Sequence, residues 1–185
     1  AQPSITINVE NLYDLGAEFY RWEFATAVAC SVLGVNAFDQ PDVQLSKDIT
    51  KKKINHYALT RDLEEGPSSW DDTITKVFCP HEVEGSDLKE ILTFFLSKAG
   101  KYDFIGINAF LPRIESVEAR LQKIRTGIAE KTGCATSVGF GPRFLHSTGQ
   151  LHKGGENNGV FIQLTVDPKL DLEIPGQNMT FGILE

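Results

Sequence analysis

KYDFIGINAFLPRIESVEARLQKIRTGIAEKTGCATSVGFGP, Lys101 to Pro142, reads as strand, helix, strand, and its reading decides the fold. The run YDFIGINAFLP is apolar almost throughout, as expected of a central parallel strand covered on both faces, and Pro112 stops it because proline has no N–H for a further rung. A helix then begins at Glu115 or Ser116. Within it Val117, Leu121, Ile124 and Ile128 recur at spacings of four, three and four, and Gly133 stands at its expected end. CATSVGF returns as a second strand, and alternation of this kind implies an α/β fold, a doubly wound and mostly parallel sheet with helices on both faces.

Outward from that unit, GVFIQLTV (159–166) reads as a further strand, and the tail LDLEIPGQNMTFGILE carries a Pro-Gly turn and a possible new helix. Upstream, Asp87 to Ala99 sets Leu88, Ile91, Leu92, Phe95 and Leu96 on one helical face. ITKVFCP (74–80) has the β-branched and aromatic content of a short strand, the polar residues around 60–69 read as a surface excursion, and 58–86 as a whole is expected to be an insertion or surface excursion. From Asp14 to Leu33, Phe19, Trp22, Ala25, Ala29 and Val32 follow helical spacing, so a mostly buried helix is expected, with Glu23 paired to Arg21 if it is to lie inside. Gly34 ends that helix and Pro41 opens the next, toward Asn55. All 185 residues are expected to form one domain.

A formal charge of −7 and no basic stripe argue against nucleic-acid binding. Cys30, Cys79 and Cys134 are far apart and odd in number, which suits reduced thiols packed as small hydrophobes. No segment reaches the roughly 18 apolar residues of a membrane span, and the first residues lack the pattern of a signal peptide, so a cytoplasmic protein without a membrane partner is expected.

The polar residues concentrate in two places. FLHSTGQLHKGG (144–155) brings His146, Ser147, Thr148, Gln150, His152 and Lys153 together just after the second strand and the GFGP turn. GVNAFDQPDVQLSK (34–47) ends in Lys47. Loops at the carboxyl ends of parallel strands converge, so His146 can exchange protons with a sugar hydroxyl or ring oxygen, or can be a hydrogen-bonded turn residue. Ser147, Thr148 and Gly149 resemble a helix start presenting backbone N–H groups. Arg143 can hold an anionic substrate or cap a helix, Lys153 can meet a phosphate or stay solvated, and Lys47 alone reads as a solvated lysine. Glu130, at the end of the helix before the histidine strand, is expected at the same edge as a carboxylate base, or at the surface. His56 and His81 have no partners at metal-ligand spacing, so no metal site is expected.

These segments resemble the phosphoglucose isomerase family, whose sugar-isomerase domains are doubly wound. GVNAFDQPDVQLSK is similar to that family's signature of a Phe-Asp-Gln-Pro turn followed by a lysine, and FLHSTGQ to the segment bearing its ring-opening histidine. RWEFATAVACSVLGVNAFDQPDV and GFGPRFLHSTGQLHKGG are closer still to the isomerase part of fused transaldolase/phosphoglucose isomerase proteins. The likeness covers most of the chain outside roughly Lys51 to Ser86. Lys47 here precedes His146, the reverse of the single-function order, which implies a circular permutation and chain ends lying near each other.

The resemblance implies interconversion of glucose 6-phosphate and fructose 6-phosphate, a carbohydrate isomerisation of glycolysis and gluconeogenesis, without a metal or organic cofactor. His146 and Lys47 would open the ring, and a glutamate, for which Glu130 is the candidate, would move a proton between C1 and C2 through a cis-enediol. Arg143, Ser147, Thr148, Gln150 and Lys153 are the substrate-binding candidates. Asp42 and Gln44 depart from the single-function signature, where glycine and glutamate stand. The second sugar-isomerase domain, with the Ser/Thr loop that holds the phosphate, has no counterpart in the sequence. The chain is therefore expected to be part of a larger polypeptide and inactive alone, with that domain and a second subunit of a homodimer as partners. The rival expectation is a non-catalytic phosphosugar-binding or structural module.

Overall fold

The computed structural model describes residues 5–39, 41–146, 148–167 and 169–184, with side chains for all of these except 41, 42, 145, 146 and 148. The chain divides into two compact units, residues 1–41 and 42–185.

The first unit is built on one helix, α1 (Leu12–Leu33). Asn11 starts it: its side chain accepts the N–H groups of Tyr13 at 2.9 Å and Asp14 at 3.2 Å, while the Asp14 carboxylate accepts the Asn11 N–H at 3.2 Å. Two otherwise orphaned donors are thereby satisfied reciprocally. Gly34, with φ of 72°, closes the helix in the left-handed conformation that a side chain would oppose. The helix is where expected, but its burial is not: no residue of α1 is buried, and Trp22 is 61 % exposed. Phe19, Tyr20, Trp22, Phe24 and Val28 point to more than one side of the helix, and the described part of this unit contains no second regular element to cover any of them. Glu23 is accordingly exposed, and Arg21 pairs with Glu18 instead.

The second unit takes in nearly all of α2 (Pro41–Thr60), followed by irregular chain and a two-residue antiparallel ribbon, β1 (Trp70–Asp71) with β2 (Lys76–Val77). The Asp72 carboxylate fixes the ribbon's turn by accepting the N–H groups of Ile74 and Thr75. Only two residues of the strand expected over 74–80 pair. Next, α3 (Leu88–Leu96) starts at Asp87, whose side chain accepts the Glu90 N–H at 2.8 Å. Glu90 reaches back to the Ser86 N–H and hydroxyl, and these two donors hold its carboxyl below the usual value.

Three parallel strands, β3 (Phe104–Ala109), β4 (Ala135–Phe140) and β5 (Gly159–Leu164), form a sheet in the order β4-β3-β5. The chain leaves β3 for β4 through α4 (Glu115–Thr132), then crosses back to the other side of β3 through a 3-10 turn, Arg143–His146, and α5 (Thr148–Gly154). Successive side chains of a strand point to opposite faces. Ile105, Ile107 and Ala109 on one face are at most 1 % exposed and form the core with Leu121 and Ile128 of α4 and with Cys134. Burying each isoleucine contributes about 1.5–3 kcal/mol. On the alternate face Phe104 and Gly106 meet His152 of α5 and Phe161 of β5. A Cβ at Gly106 would stand 2.8 Å from the Phe161 ring, so the strand needs glycine there. The tail ends in α6 (Phe181–Leu184), and Arg61, just beyond α2, donates to the Asn178 carbonyl. The architecture is mixed α/β around a parallel sheet.

Candidate functional site

The carboxyl ends of the three strands share one edge of the sheet. There β4 runs through Gly141 and Pro142, joined by a cis peptide, into the 3-10 turn that ends at His146. Close approach explains the glycines. A Cβ on Gly139 would stand 2.9 Å from Phe144 Cβ, and one on Gly141 would stand 2.5 Å from the Phe110 ring. The chain therefore folds back so that Phe144 lies over β4 and packs edge-on against Phe110, with ring centroids 5.7 Å apart. Gly149, buried in α5, lets that helix close on the Phe144 carbonyl. His146 thus lies between two anchored points at the carboxyl edge; its side chain falls outside the described ones.

Beside this turn lies a cavity of about 260 Å³, lined among others by Arg113, Glu118, Gln122, Val138, Phe140 and Arg143. Arg113, from the loop after β3, approaches Glu118 at 3.6 Å and sets its guanidinium over the Phe140 ring, 5.7 Å from the centroid. Among the described residues no carboxylate lies within 4.0 Å of Arg143. Two guanidinium groups and an apolar wall suit a small anion with a carbon skeleton, and the planar fork of arginine matches carboxylate or phosphate oxygens.

The other candidates fall at several places. Ser147 lies outside the described residues, as does Gln40 of the Phe-Asp-Gln-Pro turn, while Thr148 opens α5 and Gln150 follows within it, half-buried. Lys153 is exposed and comes directly after His152, which packs on Phe104 at the start of β3. That ring also packs on Phe144, with centroids 6.3 Å apart. Lys47 is exposed on α2, and among the described residues no hydrogen bond, ion pair or ring contact joins it to the carboxyl edge.

Of the two placements open to Glu130, the structure has the one at the surface, since its side chain is exposed. Because α4 runs back against the strands, Glu130, four residues before Cys134, lies where β4 begins, whereas His146 follows the end of β4. Six strand residues, about 20 Å, separate the two ends. Glu118 of the same helix lines the cavity instead, about 18 Å along the axis from Glu130 at 1.5 Å per residue. The available signal was direction: a helix between parallel strands carries its first turn, not its last, near their carboxyl ends.

His152 was also underestimated from sequence. Phe104, Phe144 and Phe161 surround its ring, both ring nitrogens are shut off from solvent, and neither has a hydrogen-bond partner among the described residues. Burial holds its pKa below the ordinary imidazole value. Cys134 is buried and donates to the Gly100 carbonyl at 3.4 Å, and all three cysteines are free thiols. Among the described residues no helix is long and apolar enough to cross a membrane. No protein-family model, curated protein or solved structure matches the chain.

Proposed function

We propose that the chain is a doubly wound sugar-isomerase domain supplying part of the active site of an aldose-ketose isomerase that interconverts glucose 6-phosphate and fructose 6-phosphate. The observation that carries this reading is the meeting, at the carboxyl edge of one parallel sheet, of the segment ending at His146 with a cavity lined by Arg143 and Glu118. Ligands of open α/β sheets bind at that edge. The resemblance of FLHSTGQ and FDQPDVQLSK to the isomerase signatures supplies the chemistry.

In this mechanism His146 passes a proton to the ring oxygen as the C1 hydroxyl loses its own, and Lys47 assists once brought to the edge by the complete assembly. Glu118, in place of Glu130, removes the proton from C2. The C–H electron pair becomes the C1=C2 bond, and the former carbonyl oxygen carries the charge that Arg143 stabilises. Glu118 then returns the proton to C1 while the O2 proton passes to O1, so that C2=O forms, O1 becomes a hydroxyl and the ketose results. A second sugar-isomerase domain completes the phosphate grip, within a fused transaldolase/isomerase polypeptide of the cytoplasm and with a homodimer as its assembly.

A coupled assay with fructose 6-phosphate tests the reading. The 185-residue chain is expected to turn over little alone and to gain activity with the second domain present, and H146A should abolish that gain. Unchanged turnover in H146A would remove the isomerase reading. A non-catalytic phosphosugar module is the second reading, favoured by the Arg113 approach to Glu118, which engages the carboxylate in an ion pair rather than leaving it free as a base.

A further inference from the structure

Asn108 is the one polar residue among the buried side chains described, 9 % exposed, in the central strand, one position before the carboxyl end of β3. Its carboxamide makes no hydrogen bond to the described residues. The residue is almost wholly buried, yet its amide atoms are not shut off from solvent, so a carboxamide without a partner in the described residues stands where a ligand can reach it. The register pairs Asn108 with Gly139 on β4 and with Gln163 on β5, and residues paired in parallel strands share a face. The two side chains, that of Gln163 exposed, therefore leave the same face of neighbouring strands whose backbones lie about 4.8 Å apart. Next to them Phe144 lies over Gly139 and leads two residues on to His146.

The position has a topological meaning as well. From β3 the chain moves to one side to make β4, then returns across the sheet to make β5, so the connections diverge between β3 and β5. A crevice opens outside the carboxyl ends of strands at such a divergence, and ligands lie there. Asn108 and Gln163 flank it.

We infer that Asn108, with Gln163 beside it on β5, forms the polar wall of a subsite that binds the hydroxyl groups of a polyhydroxylated ligand. Each carboxamide offers a carbonyl acceptor and an NH₂ donor, so an adjacent pair matches the alternating donors and acceptors of neighbouring sugar hydroxyls. Naming that ligand a hexose phosphate rests on the proposed function; the subsite itself rests on burial, register and topology.

Nitrogen-15 NMR of the 185-residue chain tests it, following the side-chain NH₂ signals of Asn108 and Gln163 during titration with glucose 6-phosphate, and separately with inorganic phosphate. The sugar phosphate should shift both NH₂ signals, and inorganic phosphate should leave them in place. N108L, of nearly equal size, should weaken glucose 6-phosphate binding about 10-fold while its denaturation midpoint stays level, because no hydrogen bond to the described residues is lost. Glucose 6-phosphate binding that leaves the Asn108 signal and the N108L affinity unchanged overturns the subsite and leaves the isomerase reading standing. A midpoint lowered in N108L with affinity retained makes Asn108 structural and also overturns it. Absence of any shift in the wild-type chain overturns the subsite whatever the assay of H146A returns.

Discussion

The ring of His152 packs on that of Phe161 with centroids 4.5 Å apart, tilted by 49°, so a titratable group closes one face of the sheet where a leucine would serve. Phe104 and Phe144 complete the enclosure. Desolvation disfavours the imidazolium, and the folded pKa lies below the unfolded value of roughly 6.5. The unfolded chain therefore binds the proton more readily. Stability from this group is complete above the unfolded pKa and falls as pH drops from there toward the folded pKa. Thermal melts of wild type and H152L between pH 5 and 8 should show the wild-type midpoint falling on acidification and the variant's falling less. Parallel curves would remove His152 as the cause.

Two glycines of the second unit predict opposite outcomes for one substitution. In G149A the new methyl group would stand 2.5 Å from the Phe144 carbonyl oxygen, a backbone atom, so α5 must shift from the turn. A loss of about 1–3 kcal/mol in urea unfolding is expected. In G127A, in the middle of α4, the methyl group meets nothing within 4 Å, and a gain of about 0.5–1 kcal/mol follows from helix propensity and a less flexible unfolded chain.

Glu118 and Glu130 separate the two possible placements of the base. With the complete isomerase assembled, E118Q should lower kcat by about 100-fold or more, the usual scale for a lost general base. E130Q should stay within about twofold of wild type. The reverse pattern would return the catalytic role to the far end of α4 and discard the cavity as the reaction site.

Core truncation should report the sheet's central strand. Ile107 is 1 % exposed and packed within the α4 face, so I107A is expected to cost about 2–5 kcal/mol, while I105V should cost about 0.5–1.5 kcal/mol. I124A, at a position 49 % exposed on α4, should cost well under I107A in the same denaturant titration.

The strand-helix-strand unit was legible because its signals are local. The apolar run from Phe104, the four-three-four spacing after Val117 and the glycine at 133 each act within a few residues, and β3, α4 and β4 appear where they were read. Asn11 and Asp14 act as locally at the start of α1. The burial of α1 was not legible: helical spacing reveals an apolar helix but not what covers it, and Trp22 is exposed. The site was read in part. His146 follows β4 as its neighbours suggest, whereas the choice between edge and surface for Glu130 stayed open, because proximity in sequence does not give proximity in space. Arg113, Glu118 and Asn108 had no motif to mark them.

What the sequence determined by itself is the alternation of strand and helix, the points where each stops, and the concentration of polar groups after β4, since propensity, capping and steric limits are properties of neighbouring residues. Tertiary structure alone decided the order β4-β3-β5, the edge at which Arg113, Glu118 and Arg143 meet, and the enclosure of His152 by three phenylalanines. Those relationships join residues tens of positions apart, and only the register of parallel strands and the antiparallel run of the helix between them settle which side chains become neighbours.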